Sequence, residues 1–445
     1  MDFPPLRVVL KRDCPPTGAE KIITMIKRIL FSVFLLTVIL ALEIQAAEIC
    51  LPKTGQVNCF DGVWGYQVEC KNSGQDGEYR AGASWPNPRF TNPDGSLPIS
   101  GEEVLDRLTG LIWAKDVTSP TRGFCTGGRK DWGPAFDYIK CLNDTRYLNH
   151  DDWRMPNPVE LASLHHDDQS RDDQWLETFG FVFIKFINII WSSTTNVGSP
   201  DKVFYGLPYY LLPLNHTGKF ALQDSVVWPV RGGGAVPGEN GVVSLPQTGQ
   251  TSCYYWKPDY YPIDCPGTGQ DGELRKGVVW PDPRFTNPDG GRPVSGEEIL
   301  DRLTGLIWTR QVGTPGPQAC QPQETKSWSQ ALAHVQCLNQ EQYLGRQDWR
   351  LPNVVELRSL TDHQRHDPAL PAGHPFTPLD LVPAKRFAWT STSLLPNPRF
   401  AHVYDLFTGA VNSGDKFNER WYAWPVRGGE LGANYLLFLP LIIHP

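Results

Sequence analysis

WPDPRFTNPDGGRPVSGEEILDRLTGLIW, Trp280–Trp308, occurs earlier in the same chain as WPNPRFTNPDGSLPISGEEVLDRLTGLIW, Trp85–Trp113. Of the 29 aligned positions 24 are identical, the exceptions being Asn87/Asp282, Ser96/Gly291, Leu97/Arg292, Ile99/Val294 and Val104/Ile299. The match extends outward on both sides. LPKTGQ (Leu51–Gln56) returns as LPQTGQ (Leu245–Gln250), and DWRMPNPVEL (Asp152–Leu161) as DWRLPNVVEL (Asp348–Leu357). WSST (Trp191–Thr194) returns as WTST (Trp389–Thr392), and VWPVRGG (Val227–Gly233) as AWPVRGG (Ala423–Gly429). The chain is one unit written twice. Each unit has about 185 residues, enough to bury a core of its own and far beyond a solenoid repeat. The expected domains are 50–233 and 245–429, joined by a Gly/Pro-rich linker at 234–244.

The 445 residues carry a net charge of -7, with 20% charged and 40% hydrophobic residues. That is ordinary for a globular protein. The acidic balance, with no basic block against it, argues against nucleic acid as a partner. Residues 1–47 read as an export signal: Lys27 and Arg28 precede the apolar run Ile29–Leu42, and Ala46 and Ala47 suit cleavage. Met25 is a natural start for such a signal. The expected location is therefore secreted, extracellular or at the cell surface, the periplasm included, with no membrane span left after cleavage. The tail 430–445 is apolar, but its run Leu436–Ile443 is interrupted by Pro440 and is too short to span.

Export places the cysteines in an oxidising space. Eight form two matching sets, and short-range pairing is the simplest choice: Cys59 with Cys70, Cys125 with Cys141, Cys253 with Cys265 and Cys320 with Cys337. Cys50 is left over, either free or paired between chains. The elements read as α+β. LDRLTGLIW is strand, turn at Thr109-Gly110, strand. SWSQALAHVQCLN is a helix capped at Ser327 with Gln330 three residues on, burying Trp328, Leu332, Val335 and Leu338. Its twin offers Trp132, Phe136, Ile139 and Leu142. A second helix starts at Asn157-Pro158 with Glu160 closing a capping box, repeated by Asn353 and Glu356. Short strands follow in each unit, so each should hold short antiparallel strands and two helices.

DRLTGLIW, a Trp-led helix, DWRLPN-x-x-EL, WSST and WPVRGG, taken together, resemble the C-terminal domain family of the Lcl collagen-like adhesin. The resemblance covers nearly all of 51–233 and 245–429. It implies two tandem C-type-lectin-like domains, a fold shared with formylglycine-generating enzymes, and surface or secreted proteins used in adhesion. The prototype is associated with sulfated glycosaminoglycans and with a trimer. This chain lacks the collagen-like Gly-X-Y region, and its acidity suits sulfated polyanions poorly. The resemblance therefore carries the fold and not the ligand.

LPxTG is also the sortase recognition string. Neither copy lies near the C-terminus before an apolar stretch and basic tail, so here it marks the start of each unit. The EPN, QPD and WND strings of calcium-dependent lectins are absent, as are GxSxG, HExxH and CxxC. No catalytic or metal residue and no cofactor is expected. HHDDQSRDD (His165–Asp173) and DHQRHD (Asp362–Asp367) read as solvated loops, because the two copies place their histidines differently. Glu102, Glu103 and Asp106 read as turn and solubility residues. Arg154 and Arg350 read as structural ion-pair partners. The surface candidate for ligand contact is the aromatic hairpin Tyr254, Tyr255, Trp256, Tyr260 and Tyr261, whose rings suit the apolar faces of sugars. The expected function is non-enzymatic binding or adhesion, with glycans or surface proteins as partners. A structural module of an envelope assembly, and an enzyme related by fold to formylglycine-generating enzymes, are the alternatives.

Overall fold

The DRLTG turn is built by its own aspartate. Asp106 accepts the Leu108 N–H and the Thr109 hydroxyl, each at 3.0 Å, and Gly110 takes φ +73° to close the turn. Buried Arg89 grips the same carboxylate through two nitrogens at 2.9 Å, and donates to the Ser163 carbonyl at 2.7 Å. Asp301 repeats the arrangement with Leu303, Thr304 and Arg284. A buried carboxylate is tolerated because every stabilising partner is in place.

The computed structural model describes residues 49–119, 121–183, 189–207, 216–220, 225–233, 241–257, 259–377 and 386–429. The export signal, most of the linker and the apolar tail lie outside these residues. The first repeat gives β1 (Cys59–Phe60), β2 (Gln67–Val68), α1 (Asp76–Tyr79), β3 (Phe90–Thr91), β4 (Glu103–Asp106) and β5 (Leu111–Ala114). Then come α2 (Trp132–Asp144), α3 (Pro158–Ser163), α4 (Asp172–Glu177), β6 (Ile189–Thr195), β7 (Lys202–Gly206), β8 (His216–Gly218), β9 (Ser225–Val226) and β10 (Val230–Gly232). The second repeat gives β11 (Cys253–Tyr254), β12 (Pro262–Ile263), α5 (Asp271–Leu274), β13 (Phe285–Thr286), β14 (Glu298–Asp301) and β15 (Ile307–Thr309). It ends with α6 (Trp328–Gln340), α7 (Val354–Arg358), β16 (Phe387–Ser393), β17 (Phe400–Asp405), β18 (Val411–Asp415) and β19 (Val426–Arg427).

Each repeat has a disulfide-closed hairpin, a four-stranded sheet ordered β10-β5-β4-β3 or β13-β14-β15-β19, and a second sheet around β6 or β16. The mixed α+β class is therefore seen. Beside the two expected helices each repeat holds a single helical turn, α1 or α5, and the first repeat also holds α4. WPVRGG closes the first sheet: Arg231 donates to Glu103 at 2.7 Å, and Trp113 packs on Trp228 with ring centroids 4.7 Å apart. Both tryptophans are fully buried, and each such side chain contributes on the order of 2–3 kcal/mol. DWRxPNxxEL joins helix to sheet. Arg154 donates to both Glu160 oxygens, at 2.7 and 2.6 Å, and to the Gly232 carbonyl at 3.1 Å. Glu160 also accepts from the Asn157 N–H while Asn157 accepts from Glu160, completing the capping box. Arg350, Glu356, Gly428 and Asn353 do the same in the second repeat.

Disulfides join Cys59–Cys70, Cys125–Cys141, Cys253–Cys265 and Cys320–Cys337. Cys50, for which a free thiol or an interchain bond was open, is disulfide-bonded too, and no described cysteine is free.

The opening hairpin of each repeat completes its packing on the other repeat. Gln56 clamps the backbone of Ser393, its amide donating to the Ser393 carbonyl and accepting the Ser393 N–H, both at 2.9 Å. Gln250 clamps Thr195 in the same way. Asp76 accepts the hydroxyls of Thr54, in its own repeat, and Thr392, in the other, at 2.8 and 2.7 Å. Asp271 accepts those of Thr248 and Thr194, both at 2.6 Å. Ile49 donates to Leu303 at 2.7 Å, and Val243 to Leu108 at 2.8 Å. The two repeats are thus related by an approximate twofold exchange of their hairpins. LPxTGQ, GQDGE and W-S/T-S-T are the three parts of that lock. The glycine of LPxTG is required by packing inside its own repeat: at Gly55 (φ +92°) a Cβ would sit 2.6 Å from His166, and at Gly249 (φ +87°) 2.4 Å from Asp362.

Candidate functional site

Four kinds of place could carry chemistry: the exposed hairpins, a groove on the second repeat, the buried lock carboxylates and a histidine–aspartate cluster between the repeats.

The five aromatics of the second hairpin do not form one surface. Tyr254 is buried. Trp256 lies over Gly133 at the start of α2, so close that a Cβ there would sit 2.3 Å from the indole. Tyr260 and Trp256 flank Phe220 of the first repeat, with centroids 6.4 and 5.6 Å away. Only Tyr255 and Tyr261 face outward, stacked on one another at 5.3 Å. Tyr254, Trp256 and Tyr260 therefore serve the exchange. The first hairpin, which holds fewer aromatics, exposes them more: Trp64 is 68% and Tyr66 70% exposed. Their loop is held by Asp61, whose carboxylate accepts the N–H groups of Val63, Trp64, Gly65 and Tyr66. Burial works slightly against the Asp61 charge, but these bonds hold its pKa below the usual value. An exposed Trp/Tyr pair on a fixed loop was not evident from sequence; an aspartate three and five residues ahead of the two rings is the signal that could have found it.

The groove lies beside Trp280 and has a volume of about 650 Å³, lined by Arg275, Arg284, Arg310, Asp362 and Gly373 among others. The first repeat fills the corresponding place with rings: Trp175 from α4 and His166 pack on Trp85, with centroids 5.8 and 4.8 Å away. Among the described residues no aromatic ring packs on Trp280. Among the described residues the second copy has no counterpart of α4, and the groove lies where the Trp175 ring stands in the first.

Lys219 and Lys416 occupy equivalent buried places, each under the other repeat's hairpin. Their ammonium groups lie 4.4 Å over Trp132 and 3.9 Å over Trp328. Burial pushes both pKa values down to about 7. Asp76 is wholly buried, and that burial pushes its pKa up to about 7 despite its two threonine donors; Asp271 rises to about 6 for the same reason. The protonated carboxyl is thus the favoured folded form. Stability that depends on it is full below about pH 4 and is lost as pH rises through about 7. Asp76→Asn keeps an acceptor for Thr54 and Thr392 and removes the charge. Its unfolding free energy, relative to the parent chain, should climb by about 4 kcal/mol between pH 4 and 7 and level off above. Urea melts across that range would read this; parallel curves for the two proteins would show that Asp76 does not titrate on folding.

HHDDQSRDD is not a solvated loop. His165, Asp167 and Asp172 are buried, because the second repeat covers them. His165 bonds Asp172 through Nδ1 at 2.6 Å and Asp167 through Nε2 at 3.1 Å. His402 of β17, in the other repeat, reaches the same Asp167 oxygen with Nε2 at 2.8 Å. Burial opposes charge on His165, but Asp172 and Asp167 outweigh it and push its pKa up to about 10. Burial lowers that of His402. The twofold-related place is different: His363 packs edge-on against Phe204, with centroids 4.5 Å apart. Sequence reasoning set this cluster aside because the copies differ.

Glu102, Glu103 and Asp106 do not converge on one point: Asp106 is held by Arg89 and Glu103 by Arg231, while Glu102 is exposed near Arg122. Among the described residues no helix is long and apolar enough to cross a membrane.

Comparison with known proteins gives one positive result. The Lcl C-terminal domain family matches twice, over residues 102–231 and 297–427. No curated protein and no solved structure matches. The two matched stretches start at the GEE strand of each repeat and end at its WPVRGG strand, so the exchanged hairpins lie outside them. The chain belongs to the Lcl C-terminal domain family, in two tandem copies, a surface or adhesin-related domain.

Proposed function

We propose that this is a secreted or surface-exposed, non-enzymatic binding protein of lectin-like fold, which contacts glycans through the outward aromatics of its hairpins. The observation that carries this reading is the Trp64/Tyr66 pair, exposed yet fixed by the four hydrogen bonds to Asp61. Ordering costs less when the backbone that carries the rings is already held, and aromatic faces stack on the C–H faces of sugars. Tyr255 and Tyr261 offer a second such pair. The net charge of -7 favours neutral or weakly charged glycans over sulfated ones. The family's adhesin association supports the same reading.

A thiol-based oxidase, the enzymatic alternative, needs a reactive cysteine, and the cysteines from Cys50 onward are in disulfides. The interlocked repeats are also compatible with a rigid structural module of a surface assembly.

A glycan array with the intact protein separates these readings. Binding at micromolar Kd or tighter is expected, with a loss of about tenfold or more in a Trp64→Ala/Tyr66→Ala variant, corresponding to the roughly 1–2 kcal/mol of a lost stacking contact. Binding that survives unchanged in this variant and in Tyr255→Ala/Tyr261→Ala would move the site to the Trp280 groove. Silence across glycans would count for the structural module.

A further inference from the structure

We propose that His165, Asp167 and His402 form a divalent transition-metal site, of the kind zinc occupies, which staples the two repeats together. The three ligand atoms lie within 4.8 Å of one another and all three residues are buried. Imidazole nitrogen with carboxylate oxygen is a zinc-type donor set. At a tetrahedral zinc, two ligand atoms bonded at about 2.0–2.1 Å stand roughly 3.3 Å apart. The observed separations to Asp167, 3.1 and 2.8 Å, need to open by only a few tenths of an ångström.

Two further observations point the same way. Asp172 accepts from the Nδ1 side of His165, which leaves Nε2 as the ligating nitrogen; a carboxylate behind a histidine is the usual support of a metal ligand. The charges match: with both imidazoles neutral, Asp167 and Asp172 give -2, and a divalent cation cancels this inside a wholly buried site. Binding then forms two N–metal bonds: a cationic His165 releases its Nε2 proton to solvent, and a neutral His402 shifts its proton from Nε2 to Nδ1, so one proton leaves.

The ligands come from both repeats, so the site exists only when the hairpins are exchanged. Among the described residues it also exists once. The twofold-related place carries Thr361, His363 and Phe204, where the ligands are His165, Asp167 and His402. The chain therefore shows which replacements the fold accepts, and His402→Phe and His165→Thr copy them.

The test is zinc binding to the full secreted chain after chelator treatment and dialysis, read by isothermal titration, by metal content and by thermal melting. The parent protein should take up one equivalent of Zn2+ and melt several degrees higher with it. His402→Phe and His165→Thr should lose uptake and the shift, with near-ultraviolet dichroism confirming the fold. Asp172→Asn, which removes only the supporting carboxylate, should weaken binding about 10–100-fold. If either copied variant does not fold, the parent titration and Asp172→Asn decide. No uptake by the parent protein at about 100 µM Zn2+, or uptake unchanged by these substitutions, would overturn the proposal and leave the cluster a hydrogen-bonded ion network.

Discussion

Residues 245–429 expressed alone should not be a stable monomer; they should elute and scatter as a dimer in which two copies exchange hairpins. Each repeat carries both halves of the lock. Gln250 and Asp271 are present to clamp a strand, and Thr392 and Ser393 are present to be clamped. In a lone monomer the Gln250 amide and the Asp271 carboxyl would lose partners, and the β16 edge that Gln56 covers would be bare. Unmade buried hydrogen bonds cost about 1–3 kcal/mol each, so several together exceed what a domain of this size can spare. The homodimer is also imperfect. It sets His363 against His402 twice, where the whole chain sets Asp167 against His402 and His363 against Phe204. Mixing separately produced first and second repeats should therefore favour the mixed pair. Light scattering of each repeat and of the mixture measures this. A folded monomer with native near-ultraviolet dichroism would show that the exchange is dispensable.

Arg350→Met should cost about 3–5 kcal/mol, the largest loss expected from any single substitution described here. The mutation leaves Glu356 buried and charged, with the Asn353 N–H as its remaining neighbour and the Arg350 fork gone. It also frees the Gly428 carbonyl, which loosens β19 from the sheet. Arg350→Met combined with Glu356→Gln should recover part of the loss, because the second change removes the stranded charge while keeping an oxygen for Asn353. Denaturant midpoints of the single and double variants give the coupling. A single-variant cost below about 1 kcal/mol would mean that water reaches Glu356. Since the repeats interlock, tryptophan fluorescence and far-ultraviolet dichroism should report one transition, even though the lesion sits in one repeat.

The parts of this fold that are local in sequence were legible. The repeat, the capping boxes at Asn157 and Asn353, the hairpin cysteines and the Arg154 pair all follow from residues within a few positions of one another. The exchange was not, for a physical reason. When one sequence is written twice, Thr392 is as good a partner for Asp271 as for Asp76, and no pattern in the chain says which is taken. The same ambiguity hid the histidine cluster. Different histidines in the two copies argue against a site present in both; they say nothing against one site built from both. The mismatch of histidines also made 165–173 read as a solvated loop, yet His402 of the second repeat packs there and His165, Asp167 and Asp172 are buried. The hairpin aromatics were misread in part for the same reason: Trp256 packs well, but against α2 of the other repeat.

The exchange also determines how the molecule would carry a mechanical load. Residue 49 is tied to Leu303, and the first hairpin to Ser393 and Thr392. Arg427, near the other end of the described chain, is tied through β19 to β15. Both attachment points lie in the second repeat. A pull on residue 49 against residue 429 therefore loads the second repeat and the clasp upon it first, and the first repeat shares the load through Asp167 and Asp168, which bond Thr54, Gln56 and Asn58.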